Sequence, residues 1–216
     1  MTTELKAVIF DFGGVFTDSP FHAVTAYAAR IGASTEQVTE IVFGGYGVDG
    51  DHPWHRVERG EISLEDAREQ ITALGSERGL AIDIWDVFIA MGENGGGLRS
   101  ELVEYVRTIR ASGLGTGIIT NNVVELKDHW RGMVPVDELF DFVIDSSEVG
   151  MRKPNPAIFE HALTVSGFAA HEVVFLDDFE GNVLAARALN IPSILVDGDG
   201  AKTVADLDAI LGLNER

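Results

Sequence analysis

Five short apolar runs constrain this chain more than any other feature: LKAVIF (5–10), TGIIT (116–120), FDFVI (140–144), HEVVFL (171–176) and IPSILV (191–196). Most lack the alternation of apolar and polar residues that a half-buried strand shows. Continuous apolar character is what a parallel sheet covered on both faces requires. Helical patterns lie between the runs, in LRSELVEYVRTIRASG (98–113), NPAIFEHALTVSG (155–167) and NVLAARALN (182–190). In the first, Leu98, Leu102, Tyr105, Val106 and Ile109 repeat at helical spacing, and Gly113 sits where a helix commonly stops. Pro156 suits the first turn of the second. Strands alternating with helices predict an α/β fold.

The interval between the first run and the second is too long for a simple crossover. Residues 16–95 carry almost no strand signal but hold the helical stretches FHAVTAYAARIG, STEQVTEIVFGG, SLEDAREQITALG and LAIDIWDVFIAMG. This predicts an inserted, mainly helical subdomain over 16–95, with a core formed by 1–15 and 96–216. Ser63 and Asp66 read as a helix start, with Leu64, Ala67, Ile71 and Leu74 as its apolar stripe. GENGGG (92–97) marks the return to the core. Trp85, Phe88 and Met91 read as a core-facing stripe, and Glu58 and Glu61 as residues that end one helix and begin another.

Charge narrows the partners. The 216 residues include 35 Asp plus Glu against 16 Lys plus Arg, a formal net charge of −19. That field repels nucleic-acid phosphates and anionic membranes, and no basic cluster overrides it. A phosphorylated ligand needs local compensation from a lysine, backbone N–H groups or a divalent cation. There is no cysteine, hence no disulfide, thiolate metal site or thiol nucleophile. No apolar run is long enough to span a membrane, and MTTELKAVIF does not read as a signal peptide. A cytoplasmic protein is expected, and both a monomer and a homodimer fit.

In an open parallel sheet, ligands bind outside the carboxyl ends of the strands. Asp11 follows the first run, Thr120 and Asn121 end the second, Lys153 lies in the loop after the third, and Asp177 and Asp178 follow the fourth. Adjacent strands would gather them on one rim. Carboxylates with backbone oxygens suit a hard cation such as Mg²⁺. A lysine beside them would hold a phosphoryl oxygen and keep a nucleophilic carboxylate ionised.

These residues also carry a resemblance. DFGGV (11–15), ITNN (119–122), Lys153 in RKPNP and LDDFEGN (176–182) resemble, in order and spacing, the four motifs of the haloacid dehalogenase-like (HAD) hydrolase superfamily, in the branch with a helical cap inserted after the first motif. The resemblance covers essentially the whole chain. It implies a Rossmann-like parallel-sheet core with a helical cap, and Mg²⁺-dependent hydrolysis of a small phosphorylated metabolite. Asp11 would attack phosphorus and form an aspartyl-phosphate. Mg²⁺ would be held by Asp11, the Gly13 carbonyl and Asp178, with Asp177 and Asn182 behind them. Thr120, Asn121 and Lys153 would bind the phosphoryl group with Asp11.

Gly13 departs from the pattern, since family phosphatases commonly place an acid–base aspartate there. Its absence weakens protonation of the leaving group, and Asp18 is close enough in sequence to reach the pocket. Two alternatives stand beside this reading: a haloacid dehalogenase-type hydrolase, against which Gly13-Gly14 and the adjacent Asp177-Asp178 pair argue, and a weakly active or non-catalytic binding protein of the same fold, which the missing aspartate suggests. Across the cap, Phe16, Asp18, Phe21, His22, Tyr46, His52, Trp54 and His55 are candidates for the substrate face. His52 and His55 have metal-like spacing but no further ligand nearby, so packing and hydrogen bonding are the expected roles. His129 reads as an ordinary helix or loop residue.

Overall fold

The computed structural model describes residues 4–94 and 97–213, the side chains of Pro20, Phe21, His22 and Asn94 excepted. All five apolar runs form strands: β1 (Ala7–Phe10), β2 (Gly115–Thr120), β3 (Phe142–Asp145), β4 (Val173–Asp177) and β5 (Ser193–Leu195). They make one parallel sheet in the order β3-β2-β1-β4-β5, with β1 central. The missing alternation has a physical cause in two covered faces. Val8, Phe10, Ile118, Val174 and Leu176 enter one apolar core, while Ala7, Ile9, Ile119, Val173 and Phe175 enter another.

Between β1 and β2 run α1 (Pro20–Ile31), α2 (Thr35–Val42), α3 (Pro53–Glu58), α4 (Leu64–Glu77), α5 (Ile84–Asn94) and, returning to the sheet, α6 (Ser100–Ala111). Short α7 (Lys127–Arg131), α8 (Val136–Leu139) and α9 (Ser146–Val149) flank β3. They are followed by α10 (Pro156–Ser166), α11 (Glu180–Ala188) and α12 (Gly200–Leu211). Helices α6 and α12 cover the first sheet face, and α10 and α11 the second. The predicted stripe of α6 holds: Leu102, Tyr105, Val106 and Ile109 are buried.

The inserted helices close around a third core that includes Val24, Tyr27, Ile41, Ile71 and Val87. Ser34 and Ser63 each cap a helix in a reciprocal capping box, with Gln37 and Asp66. Each such cap contributes about 1 kcal/mol. The fold is therefore a Rossmann-like sheet with a helical cap between its first two strands. Gly95 and Gly96, at the expected return to the core, lie outside the described residues. Helix α12 is absent from the expectations, although Asp199 caps it and Leu207 and Leu211 anchor it. Among the described residues no helix is long and apolar enough to cross a membrane.

Candidate active site

Register brings the polar strand ends together. Phe10 lies level with Leu176 of β4 and Ile118 of β2, so Asp11 follows β1 beside Asp177, the last residue of β4. The Asp11 N–H continues the ladder, donating to the Leu176 carbonyl at 2.8 Å. Thr120 ends β2 level with Asp145. Asp11, Gly13, Thr120, Asn121 and Asp178, with Tyr46 from the cap, line a hollow of about 60 Å³ at this rim. The sequence-predicted residues Asp11, Gly13, Thr120, Asn121, Lys153, Asp177, Asp178 and Asn182 thus lie at or directly beneath one rim.

Lys153 is buried, and its Nζ contacts Asp11 Oδ1 at 2.9 Å and Asp177 Oδ2 at 2.6 Å. Burial alone would lower this ammonium, but the charges of Asp11 and Asp177 outweigh it and hold it above its ordinary value. Its backbone is fixed by Asn121, whose Oδ1 accepts the Lys153 N–H at 2.8 Å and whose Nδ2 donates to the Lys153 carbonyl at 3.0 Å. Asn182 Nδ2 donates to both oxygens of Asp177, at 3.0 and 3.1 Å, and the Phe179 N–H donates to the same carboxylate. Asp177 is thereby occupied from three sides. Asp178 lines the rim hollow beside Asp11.

Asp11, Asp177 and Asp178 each offer an oxygen within 4.8 Å of the others. With all three carboxylates ionised, a single ammonium leaves a formal surplus of two negative charges at this site. Burial, with the charges of Asp177 and Asp178, pushes the Asp11 carboxyl up to about 8 in spite of Lys153. Asp178 is raised by burial and by Asp177. The buried Oδ1 of Asn182 has no hydrogen-bond partner among the described residues. An all-oxygen donor set with this charge surplus fits a hard divalent cation of the Mg²⁺ kind.

The two glycines of DFGGV differ. A Cβ on Gly14 would lie 2.1 Å from the Asp178 carboxyl carbon, and Gly14 has φ +78°. Only glycine permits this approach. Gly13 faces open space: a Cβ there would meet nothing within 4 Å, and its φ is not positive. Its missing side chain is a chemical departure and not a steric requirement.

The cap candidates divide. Tyr46 stands at the rim, and Trp54 lines an adjoining space of about 140 Å³ with Asn121. Asp18 borders a larger chamber and pairs with Arg99 at 3.1 Å. Two expectations need correction. Phe16 is fully buried among Phe10, Phe12 and Phe140, because the turn after Gly14 folds it back under the sheet end. His55 is buried inside the cap: its Nδ1 accepts the Gly50 N–H at 3.0 Å and its Nε2 lies 2.9 Å from the Phe43 carbonyl. His52 caps α3 by accepting the Trp54 N–H. The side chain of His22 lies outside the described ones.

Three other readings also change. Glu58 does more than end a helix: it is buried, pairs with Arg152 at 2.6 Å and accepts the Trp54 indole N–H at 2.9 Å. Burial raises its carboxyl against the pull of Arg152. Trp85, Phe88 and Met91 line a chamber of about 510 Å³ between cap and core, although Phe88 and Met91 also pack against the cap core as expected, and His129 joins the chamber wall. Sequence reasoning passes over Arg152 altogether, although its position next to Lys153 in RKPNP is a signal.

The arrangement has known counterparts. A family model described as "haloacid dehalogenase-like hydrolase" matches residues 5–190, and the chain belongs to this family. Over 211 residues it is 31% identical to "Acyl-CoA dehydrogenase family member 10" of Mus musculus, covering 96% of this chain and 19% of that protein. The chain thus spans about a fifth of that mouse relative's length. It is 29% identical to "Sesquiterpene phosphatase astK" of Aspergillus oryzae over 215 residues, covering 98% of this chain and 100% of the other. Among solved structures, a HAD family enzyme of Bacteroides thetaiotaomicron, in complex with magnesium and inorganic phosphate, superposes with a TM-score of 0.63. That match has 18% identity, over 92% of this chain and 98% of the other, and is a likeness of fold. Family membership and the aspartate cluster at the sheet rim make the chain a HAD-like hydrolase.

Proposed function

We propose that the chain hydrolyses phosphomonoesters of small metabolites with Mg²⁺, through an aspartyl-phosphate on Asp11. The observation that carries this reading is the Asp11 carboxylate, 2.9 Å from Lys153 Nζ and clustered with Asp178, at a hollow of about 60 Å³. The relative described as a sesquiterpene phosphatase adds support for phosphoester chemistry.

Asp11, the Gly13 carbonyl and Asp178 would hold the ion. Bound there, it would neutralise the carboxylates and polarise the phosphoryl group. An Asp11 oxygen attacks phosphorus, the P–O bond to the alcohol breaks, and the alcohol leaves with the electron pair. Lys153, with Thr120 and Asn121, stabilises the charge on the transferring oxygens. Water then cleaves the acyl phosphate, releasing phosphate and restoring the carboxylate. Asp177 and Asn182 hold Lys153 and the loop of Asp178 in place. With Gly13 supplying no acid, the leaving alcohol departs largely as its own anion.

The same reading assigns residues 16–95 to the cap and 1–15 with 96–216 to the core, supported by the separate apolar core of the inserted helices. It also takes the protein as cytoplasmic and as a monomer or homodimer. Phosphate release from an aryl phosphate should require Mg²⁺ and stop on chelation. Asp11→Asn should fall to the detection limit, and Lys153→Ala should lose about 10²-fold in kcat/KM. Turnover that survives chelation or Asp11→Asn would move the chemistry elsewhere.

A further inference from the structure

We propose that the group carried by the phosphate is a bulky apolar alcohol, seated in the chamber between cap and core. The inference rests on the phosphohydrolase reading of the rim and extends it to the leaving group. The chamber measures about 510 Å³ and shares Gly13, Thr120 and Asn121 with the rim hollow. The two spaces therefore adjoin, and a phosphoryl group at Asp11 would place its ester group beside the chamber. The chamber equals about 17 water volumes, enough for an apolar body of roughly ten to fifteen carbons.

The walls determine the chemistry. The cap contributes Phe88 and Met91 from α5, and the core contributes Phe12, Leu126, Trp130 and Met133. Among the described lining residues there is no lysine or arginine. The arginine at this edge, Arg99, directs Nη1 to the Gly14 and Val15 carbonyls, each at 2.7 Å, and Nη2 to Asp18. It braces the turn after the nucleophile. A second anionic group on the substrate would meet Asp18 and, among the described lining residues, only the His129 imidazole as a basic side chain, in a chain of net charge −19. A carboxylate or a second phosphate is therefore disfavoured, as is a haloacid.

The chamber is also not a closed core. Trp85 and Met133 on its border are 38% and 37% exposed, unlike the sealed faces of the sheet. Large apolar side chains left open beside a reactive centre indicate a bound apolar group. Methionine and aromatic walls adapt to chains of different shape.

The test uses straight-chain alkyl phosphates from ethyl to decyl, below micelle formation, with Mg²⁺ and an aryl phosphate as reference. Their leaving alcohols have nearly the same acidity, so only apolar contact changes along the series. kcat/KM should rise about three- to fourfold per added methylene and level off when the chamber is full. Met91→Asp should lower the decyl-to-ethyl ratio by tenfold or more. Calorimetry with decylphosphonate and methylphosphonate reads the same preference without turnover, and should favour the long chain by at least tenfold. A flat series and equal phosphonate binding, with the aryl phosphate still turned over, would overturn this inference and leave the hydrolase reading standing. Failure of the aryl phosphate itself would overturn the hydrolase reading, and the leaving-group inference with it.

Discussion

The rim of the sheet and the seam with the cap meet at Asn121 but are built on opposite terms. At the rim, Lys153 touches Asp11 and Asp177 in a buried space, and Asp178 offers an oxygen within 4.8 Å of both carboxylates. Misplacing any of them leaves an uncompensated charge, so the geometry is strict. Most of the seam is an apolar chamber whose walls tolerate different contents. Its other end is ionic, where buried Glu58 of the cap meets fully buried Arg152 of the core. Arg152 Nη1 also donates to the Val48 carbonyl of the cap at 2.7 Å. Because Arg152 precedes Lys153, this clasp ties the position of the cap to the site. Strictness belongs where charges meet, and tolerance where only shape is read.

The strongest challenge to that contrast is a pair of neighbouring glycines. Gly14→Ala should cost about 10²-fold or more in kcat/KM, because its Cβ would displace the Asp178 carboxylate. Gly13→Asp should fold normally, since its side chain enters open space. It should also flatten the dependence of kcat/KM on leaving-group pKa, by supplying an acid. Equal damage from both substitutions, read by activity and thermal melting, would show that the rim is not organised as described.

The clasp comes next. Glu58→Ala removes the nearer carboxylate of buried Arg152 and leaves it only Asp49 at 4.0 Å, and should destabilise the protein by about 3 kcal/mol in urea unfolding. A loss under about 1 kcal/mol would mean that the seam has no strict end.

A smaller effect tests the cap interior by pH. Burial pulls the His55 imidazole down to about 4, with Arg152 and His52 adding to the shift and Asp49 opposing it. The unfolded chain therefore binds a proton between pH 6.5 and 4 that the folded chain refuses, so stability falls as pH drops through that window. We expect about 1–2 kcal/mol from this residue. His55→Asn keeps an acceptor for the Gly50 N–H and should reduce the slope of Tm against pH. An unchanged slope would assign the acid sensitivity to other groups.

Much of this architecture is legible in the sequence because it depends on local pattern. Each strand carries apolar residues on both faces, so the five runs read directly as a covered parallel sheet. The rim residues are recoverable because strand ends in such a sheet must converge. Glu58 and Arg152 are not. They are 94 positions apart, and their pairing exists only once cap and core are packed. Phe88 and Met91 have helical spacing that fits a core stripe equally well, and spacing cannot tell a filled interior from an open chamber. Phe16 departs from expectation for the converse reason, since nearness to Asp11 in the chain does not fix the direction of a side chain after a glycine turn.

The amino-acid sequence thus determined the sheet, the insertion and the charged rim, because period, strand ends and capping act over a few residues. Tertiary packing alone decided which glycine is indispensable, which arginine braces a turn and which is buried as a clasp, and where the molecule stays hollow. Those outcomes depend on distances between segments far apart in the chain, and no local pattern encodes such a distance.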